Sequence, residues 1–365
     1  IIGTWAEFFI FAGEFPGTLV IPRLYMVHIL LIPGLLLGLV SAHLALVVYH
    51  KHSQYPGPGR SDNNVVGYPV FPVYMAKAGG FFFIVFGVLV LFGGLFQINP
   101  IWLYGPYDPA KVTAGSQPDW YMGWVEGAVR IMPGWESHIG PTTWSWNIFL
   151  PGVGLMGLLF VGLALYPFIE RWLTGDNREH HVLDRPRNAP TRTAFGVAGM
   201  ACYAMFWLAG ANDIIAVRFH LSLNAITIFM RIAIFVAPVI AFIVTKRICL
   251  SLQRADRERA LHGSESGTIV RTPEGRYYED HVPLSTDEAF AVTQHIQYPP
   301  LEEGPAVNGQ GFPTGKRVSR LRAALSRWYL GKDIPKPSAS EMDDALSHGH
   351  GDHEVEGGVD RPKLH

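Results

Sequence analysis

The chain has 365 residues, of which 49% are hydrophobic, 13% aromatic and only 16% charged, with a formal net charge of −1. A balance this apolar and charge-poor excludes an ordinary soluble protein of this size and points to a polytopic membrane protein; the near-neutral charge gives no reason to expect nucleic acid as a partner. The two cysteines, Cys202 and Cys249, form no C-x-x-C or C-x-x-C-H pattern, which argues against zinc ribbons, thioredoxin-type sites and covalently attached haem.

The chain opens on Ile1-Ile2, with neither Met nor signal peptide, in what reads as structured sequence, so it is read as a fragment. Residues 1–20 set Phe8, Phe9, Phe11 and Phe15 beside Glu7 and Glu14, an amphipathic, Gly/Pro-broken segment expected to lie flat on the outer surface. Five apolar stretches follow, at 24–49, 71–96, 148–169, 194–212 and 224–245. Each is long enough for a membrane helix, which needs about 20 residues, and Gly and Pro are tolerated in such helices. The expected fold is therefore an all-α transmembrane bundle of about five spans.

Positive charge gathers after the first, third and fifth spans, with Lys51 and Arg60, then Arg171, Arg178, Arg185, Arg187 and Arg192, then Lys246, Arg247, Arg254, Arg257 and Arg259. Positive loops stay in the cytoplasm, so that side is read as cytoplasmic. The opposite side, with only Arg23, Lys111, Arg130 and Arg218 near span ends, carries the long loop 97–147, rich in Trp, Pro and Gly. Some of its tryptophans are read as interfacial belt residues, and a loop of this length is expected to carry function. From 249 onward a mostly irregular cytoplasmic extension is expected, with a short β-like run around Thr268 to Tyr278, a helix near Lys316 to Tyr329, and a polar, His-rich end read as disordered rather than metal-binding.

Two constellations carry chemistry. In the first span His28 and His43 lie 15 positions apart, about 22 Å along a helix and only about 60° around it. Between them Pro33, Gly34 and Gly38 can bend the helix and leave room for a flat group. Ionisable residues inside a membrane helix are costly and usually functional, and a neutral imidazole is a natural axial ligand for haem iron; spacing alone equally allows two interhelical hydrogen bonds. In the outer loop, AGSQPDWYMGW places Pro118, Asp119, Trp120 and Tyr121 together. A carboxylate there can accept a proton from a reacting hydroxyl and pass it to water, and partial burial among Trp and Pro would make it a better base; an ordinary Pro-Asp turn is the plain alternative.

The run IPRLYMVHILLIPGLLLGLVSAHLALV resembles the fourth transmembrane helix of cytochrome b, and PDWY resembles that family's PEWY quinol-oxidation motif with Asp in place of Glu. ANDIIAVRFHLSLN is similar to the loop between the last two helices of bacterial cytochromes b, and the whole resembles the actinobacterial type, covering about residues 1–248. The resemblance implies two b haems, with His28 and His43 each supplying one axial ligand, Arg23 close to the outer haem, and second ligands from earlier helices absent from this fragment, which lacks the first three. It further implies bifurcated oxidation of a menaquinol-like substrate at Pro118, Asp119, Trp120 and Tyr121, with Asp119 taking a proton and Tyr121 hydrogen-bonding the quinol. The implied setting is a multi-pass subunit of a dimeric respiratory complex in a bacterial cell membrane, with a Rieske iron–sulfur protein, a cytochrome c subunit and a terminal oxidase as partners. One departure is that Lys77 is followed by Ala78, where many cytochromes b carry an Asp serving the inner quinone site; His50, His52 and Tyr55 are the substitutes considered. The rival readings are a di-haem membrane anchor of another dehydrogenase, which would lack PDWY, and a proton-coupled transporter, which would show inverted repeats.

Overall fold

The structure, a computed structural model, describes residues 2–344 except 12, 14–16, 18, 66, 68, 97–98, 100–101, 103–104, 107, 109, 111–116, 308–312 and 332. The His-rich end of the chain, together with Glu14, Phe15 and Lys111, lies outside the described residues. Five helices are long and apolar enough to cross a membrane: α2 (Val20–His50), α3 (Val70–Leu95), α5 (Trp146–Thr174), α6 (Pro190–Gly210) and α8 (Leu223–His262). Each contains one of the five apolar stretches, apart from the last two residues of 194–212 and the last of 71–96. Shorter helices among the described residues include α1 (Ile2–Phe11), α4 (Gly123–Ile131), α7 (Asn212–Phe219), α9 (Thr286–Thr293) and α10 (Arg320–Leu330). Helix α1 has 10 described residues.

The chain groups into two units. The first comprises Ile1–Tyr55, Gly59–Gly67 and Glu179–Leu183. In it α2 contains one turn of π-helix, Val27–Leu31, and the Arg23 guanidinium donates to the Phe9 carbonyl at 2.8 Å, tying α2 to α1. Beyond α2, Gln54 exchanges backbone hydrogen bonds with His181 and Leu183 at 2.7 and 2.9 Å. Asp62 Oδ1 accepts from the backbone of His181 and Val182, both at 2.8 Å.

The second unit comprises Pro56–Pro58, Tyr68–Arg178 and Asp184–His365. Its apolar centre is Ile131, Ala209, Ile226 and Met230, where α4, α6 and α8 meet, with Phe206, Ile215 and Ile234 packed around them. The α4–α6 contact depends on glycine. A Cβ on Gly127 would overlap the Phe206 carbonyl oxygen and lie 2.6 Å from the Gly210 nitrogen, and one on Gly210 would overlap the Gly123 carbonyl oxygen. Small residues let membrane helix backbones approach this closely.

The extension after the last span is more regular than expected. Helix α8 does not stop near 245 but runs 40 residues to His262, because the stretch beyond Lys246 keeps good helix formers (Leu, Gln, Arg, Glu and Ala) and meets no proline before Gly263 ends it. The β-like run is the hairpin β1 (Ser264–Arg271) and β2 (Tyr277–Val282), and β3 (Gly304–Val307) pairs with β4 (Pro313–Val318). Helix α10 begins at Ser319, whose hydroxyl accepts from Arg322 N at 3.3 Å, a typical N-cap. It docks on the spans through Tyr329: the hydroxyl donates to Glu170 Oε1 at 2.7 Å and pairs with Tyr166 Oη at 3.1 Å. The Tyr329 carbonyl accepts from Thr191 at 2.7 Å, and Thr191 in turn accepts from Lys246 Nζ at 2.7 Å. Trp328 stacks on Phe242 with ring centroids 6.1 Å apart.

Candidate functional site

On α2, His28 falls inside the π turn and His43 in the regular helix that follows. Such widened turns are frequent at functional sites, and they wind less per residue than an α-helix, so the turn lessens the angular offset of about 60° expected for an ideal helix. Both imidazoles are exposed, and no hydrogen bond or ion pair to either is present among the described residues. A Cβ on Gly34 or Gly38 would meet nothing within 4 Å. Two unengaged nitrogen ligands beside open helix surface fit a flat, axially bound group such as haem; they do not show one.

In the Pro118–Tyr121 motif, Pro118 is half-buried and Asp119, Trp120 and Tyr121 are exposed. The burial expected for Asp119 is therefore not found in this chain, whose loop segment turns the carboxylate outward ahead of α4. Asp119 stands at the N-cap of a 3₁₀ turn, Trp120–Met122, and its backbone carbonyl accepts from Met122 N at 2.8 Å. Its side chain does not cap that turn. Instead the carboxylate Oδ2 accepts from Tyr121 Oη at 3.0 Å. This hydrogen bond, followed by the charge of Asp119, raises the Tyr121 phenol above its ordinary pKa. The indole of Trp207 on α6 fixes the turn from below, Nε1 donating to the Trp120 carbonyl at 2.9 Å, and Trp124 and Tyr203 lie ring to ring at 5.6 Å.

Next to this turn lies a polar network that sequence reasoning did not find. Arg130 Nε donates to Glu126 Oε1 at 2.9 Å, and Arg130 Nη1 pairs with Asp213 Oδ1 at 2.7 Å. Partial burial opposes ionisation of Asp213, but hydrogen bonds from Arg130, the Ile214 backbone and Gln117, with the charge of Arg130, hold its carboxyl below the ordinary range. Glu126 Oε2 is buried without a hydrogen-bond partner. The i, i+4 spacing of Glu126 and Arg130 was readable; the link to Asp213, more than eighty positions away, was not.

The residues considered for the inner quinone site are not drawn into one cluster. His50 ends α2, its ring edge-on to Tyr49 at 4.9 Å. The His52 ring lies against Gly67, where a Cβ would come within 2.6 Å of it, and Tyr55 is exposed. Among the described residues no hydrogen bond joins these three side chains.

The sequence is similar to known proteins over most of its length. Residues 1–106 match the family described as cytochrome b (N-terminal)/b6/petB. Over 358 residues, 97% of this chain and 65% of the relative, the sequence is 54% identical to the cytochrome b subunit of the cytochrome bc1 complex of Streptomyces coelicolor. The chain is similar to bc1 cytochrome b subunits over nearly its whole length. Similarity to the corresponding subunit of Streptomyces lividans is 49% over 370 residues, again 97% of this chain and 65% of that one. For Mycobacterium tuberculosis it is 48% over 330 residues, 89% of this chain and 57% of that subunit. The chain spans less than two thirds of the length of these relatives. The similarity runs well past residue 248, so the extension, too, has counterparts in actinobacterial cytochrome b subunits.

Proposed function

We propose that the chain acts as the quinol-oxidising cytochrome b of a respiratory bc complex in a bacterial cell membrane, with the loop 97–147 on the outer face and residues from 249 on the cytoplasmic face. The observation that carries this reading is the Asp119–Tyr121 hydrogen bond on an exposed turn pinned by Trp207, in a chain whose relatives are bc1 cytochrome b subunits. Oxidising a quinol releases two protons and two electrons. The Asp119 carboxylate, already engaged with a hydroxyl, accepts one proton and, being exposed, delivers it to water. Tyr121 hydrogen-bonds the quinol oxygen, while Pro118 and Trp120 shape the apolar wall. His28 and His43 would each hold one b haem, and Arg23 lies five residues before His28. Bound haem would supply one-electron relay centres. The partners are a Rieske protein for the other electron, a cytochrome c subunit and a terminal oxidase within a dimeric complex; the substrate is menaquinol-like.

The test is a redox-titrated optical spectrum of the intact complex, comparing wild type with His28→Ala and His43→Ala. Each substitution is expected to remove a different b-haem component. Unchanged spectra in both would make these histidines structural and end the reading.

A further inference from the structure

The Arg130 guanidinium donates in several directions, to α4, to α7 and to Gln117 ahead of the turn. Besides Glu126 and Asp213, its Nη1 donates to Asn212 Oδ1 at 2.8 Å and its Nη2 to Gln117 Oε1 at 3.2 Å. Gln117 Nε2 donates onward to Asp213 Oδ2 at 3.0 Å, so Arg130, Gln117 and Asp213 close a ring of hydrogen bonds. Asn99 clasps the same glutamine by its backbone: Gln117 N donates to Asn99 Oδ1 at 2.9 Å, and the Gln117 carbonyl accepts from Asn99 Nδ2. Gln117 is thus fixed through its side chain and both backbone groups, and it immediately precedes Pro118. Because the proline ring locks its own φ and narrows the choices of the residue before it, orientation set at Gln117 carries into Asp119 with little slack.

Resting on the proposed quinol site, we propose that Arg130 is a positioning residue for it: through Gln117 it sets the direction from which the Pro118–Tyr121 turn enters, and so where the Asp119 carboxylate and Tyr121 hydroxyl stand. Arg130 touches neither substrate nor reacting atoms. Its fork is required because four acceptors lie in different directions; an ammonium at this place keeps the pairing with Asp213 but has no rigid arm left for Gln117. The turn has two anchors, Trp207 on the Trp120 carbonyl and Gln117 just ahead of Pro118.

The decisive experiment measures quinol turnover and b-haem spectra of the intact complex carrying Arg130→Lys, Gln117→Ala, both together, and Asp119→Asn in parallel. Each single change is expected to lower kcat roughly ten- to a hundredfold, the scale of a misplaced catalytic group, with haem spectra unchanged. The pair is expected to be no worse than the worse single, since both break one contact. Wild-type turnover in either single variant, or additive losses in the pair, overturns the positioning role; should Arg130→Lys fail to assemble, Gln117→Ala alone decides. If Asp119→Asn also turns over normally, the quinol-site reading itself fails, which separates the two conclusions.

Discussion

Helix α2 and the α6–α8 pair are both long and apolar, yet they are held in opposite ways. No residue between Val20 and His50 is buried, whereas α6 and α8 bury Ala194, Ala209, Ile226, Met230 and Ala233 against their neighbours. Lipid tails are as apolar as leucine, so membrane helices gain little from hiding apolar surface and associate through close packing and polar contacts instead. The α6–α8 pair has both, with glycines at its contact with α4 and hydrogen bonds at its ends; α2 has no buried residue. The proposed functional groups divide likewise: Asp119 and Tyr121 are held by contacts of their own segment, while His28 and His43 lie on a helix without a buried residue.

The sharpest way to break this contrast is at the glycine contact. Gly127→Val is expected to destabilise the detergent-solubilised protein by about 3 kcal/mol or more, because Phe206 backbone occupies the space a side chain needs; an unchanged thermal midpoint would show that the α4–α6 approach is not essential. Next in size, Tyr329→Phe removes a hydrogen bond to the carboxylate of Glu170, a type worth about 1.5–3 kcal/mol, and is expected to speed proteolysis of the extension while sparing the spans.

An effect of similar size comes from Asp333, whose burial raises its pKa from 3.8 to about 6 against the opposing charge of Lys246. A raised folded pKa means the docked extension binds a proton more tightly than the free one, so docking is strongest below about pH 4 and weakens as pH rises to about 6. Asp333→Asn should flatten that dependence in a proteolysis series across this range. Smallest of all, His43→Ala is expected to shift the stability of the chain by under about 0.5 kcal/mol, as its side chain has no partner among the described residues; a large loss would mean that α2 is held by contacts of its own.

The spans were legible because a bilayer demands about twenty apolar residues in a row, a signal that survives without any tertiary information. Their boundaries were less so: the charged turns of α8 past Lys246 look like loop until the absence of a breaker before Gly263 is noticed. The constellations His28 with His43 and Pro118 to Tyr121 were readable because their members sit on one helix or in one short run. The Arg130 ring was not, since Asn99, Gln117, Arg130 and Asp213 come from separate segments and only folding brings them together. The expected burial of Asp119 failed for a related reason: neighbouring Trp and Pro in sequence need not enclose a side chain, and the indole that matters, Trp207, grips the backbone instead.

At 40 residues, α8 is about 60 Å long, twice the hydrocarbon thickness of a bilayer at about 30 Å. Its far half is a stiff mast rather than a tether. Gln253 and Arg257 on that half receive and clasp the Ile334–Pro335 segment of the extension, so the extension is mounted on the mast at a fixed height. The module is thus carried by the same continuous helix that crosses the membrane, beyond the proline at Pro238.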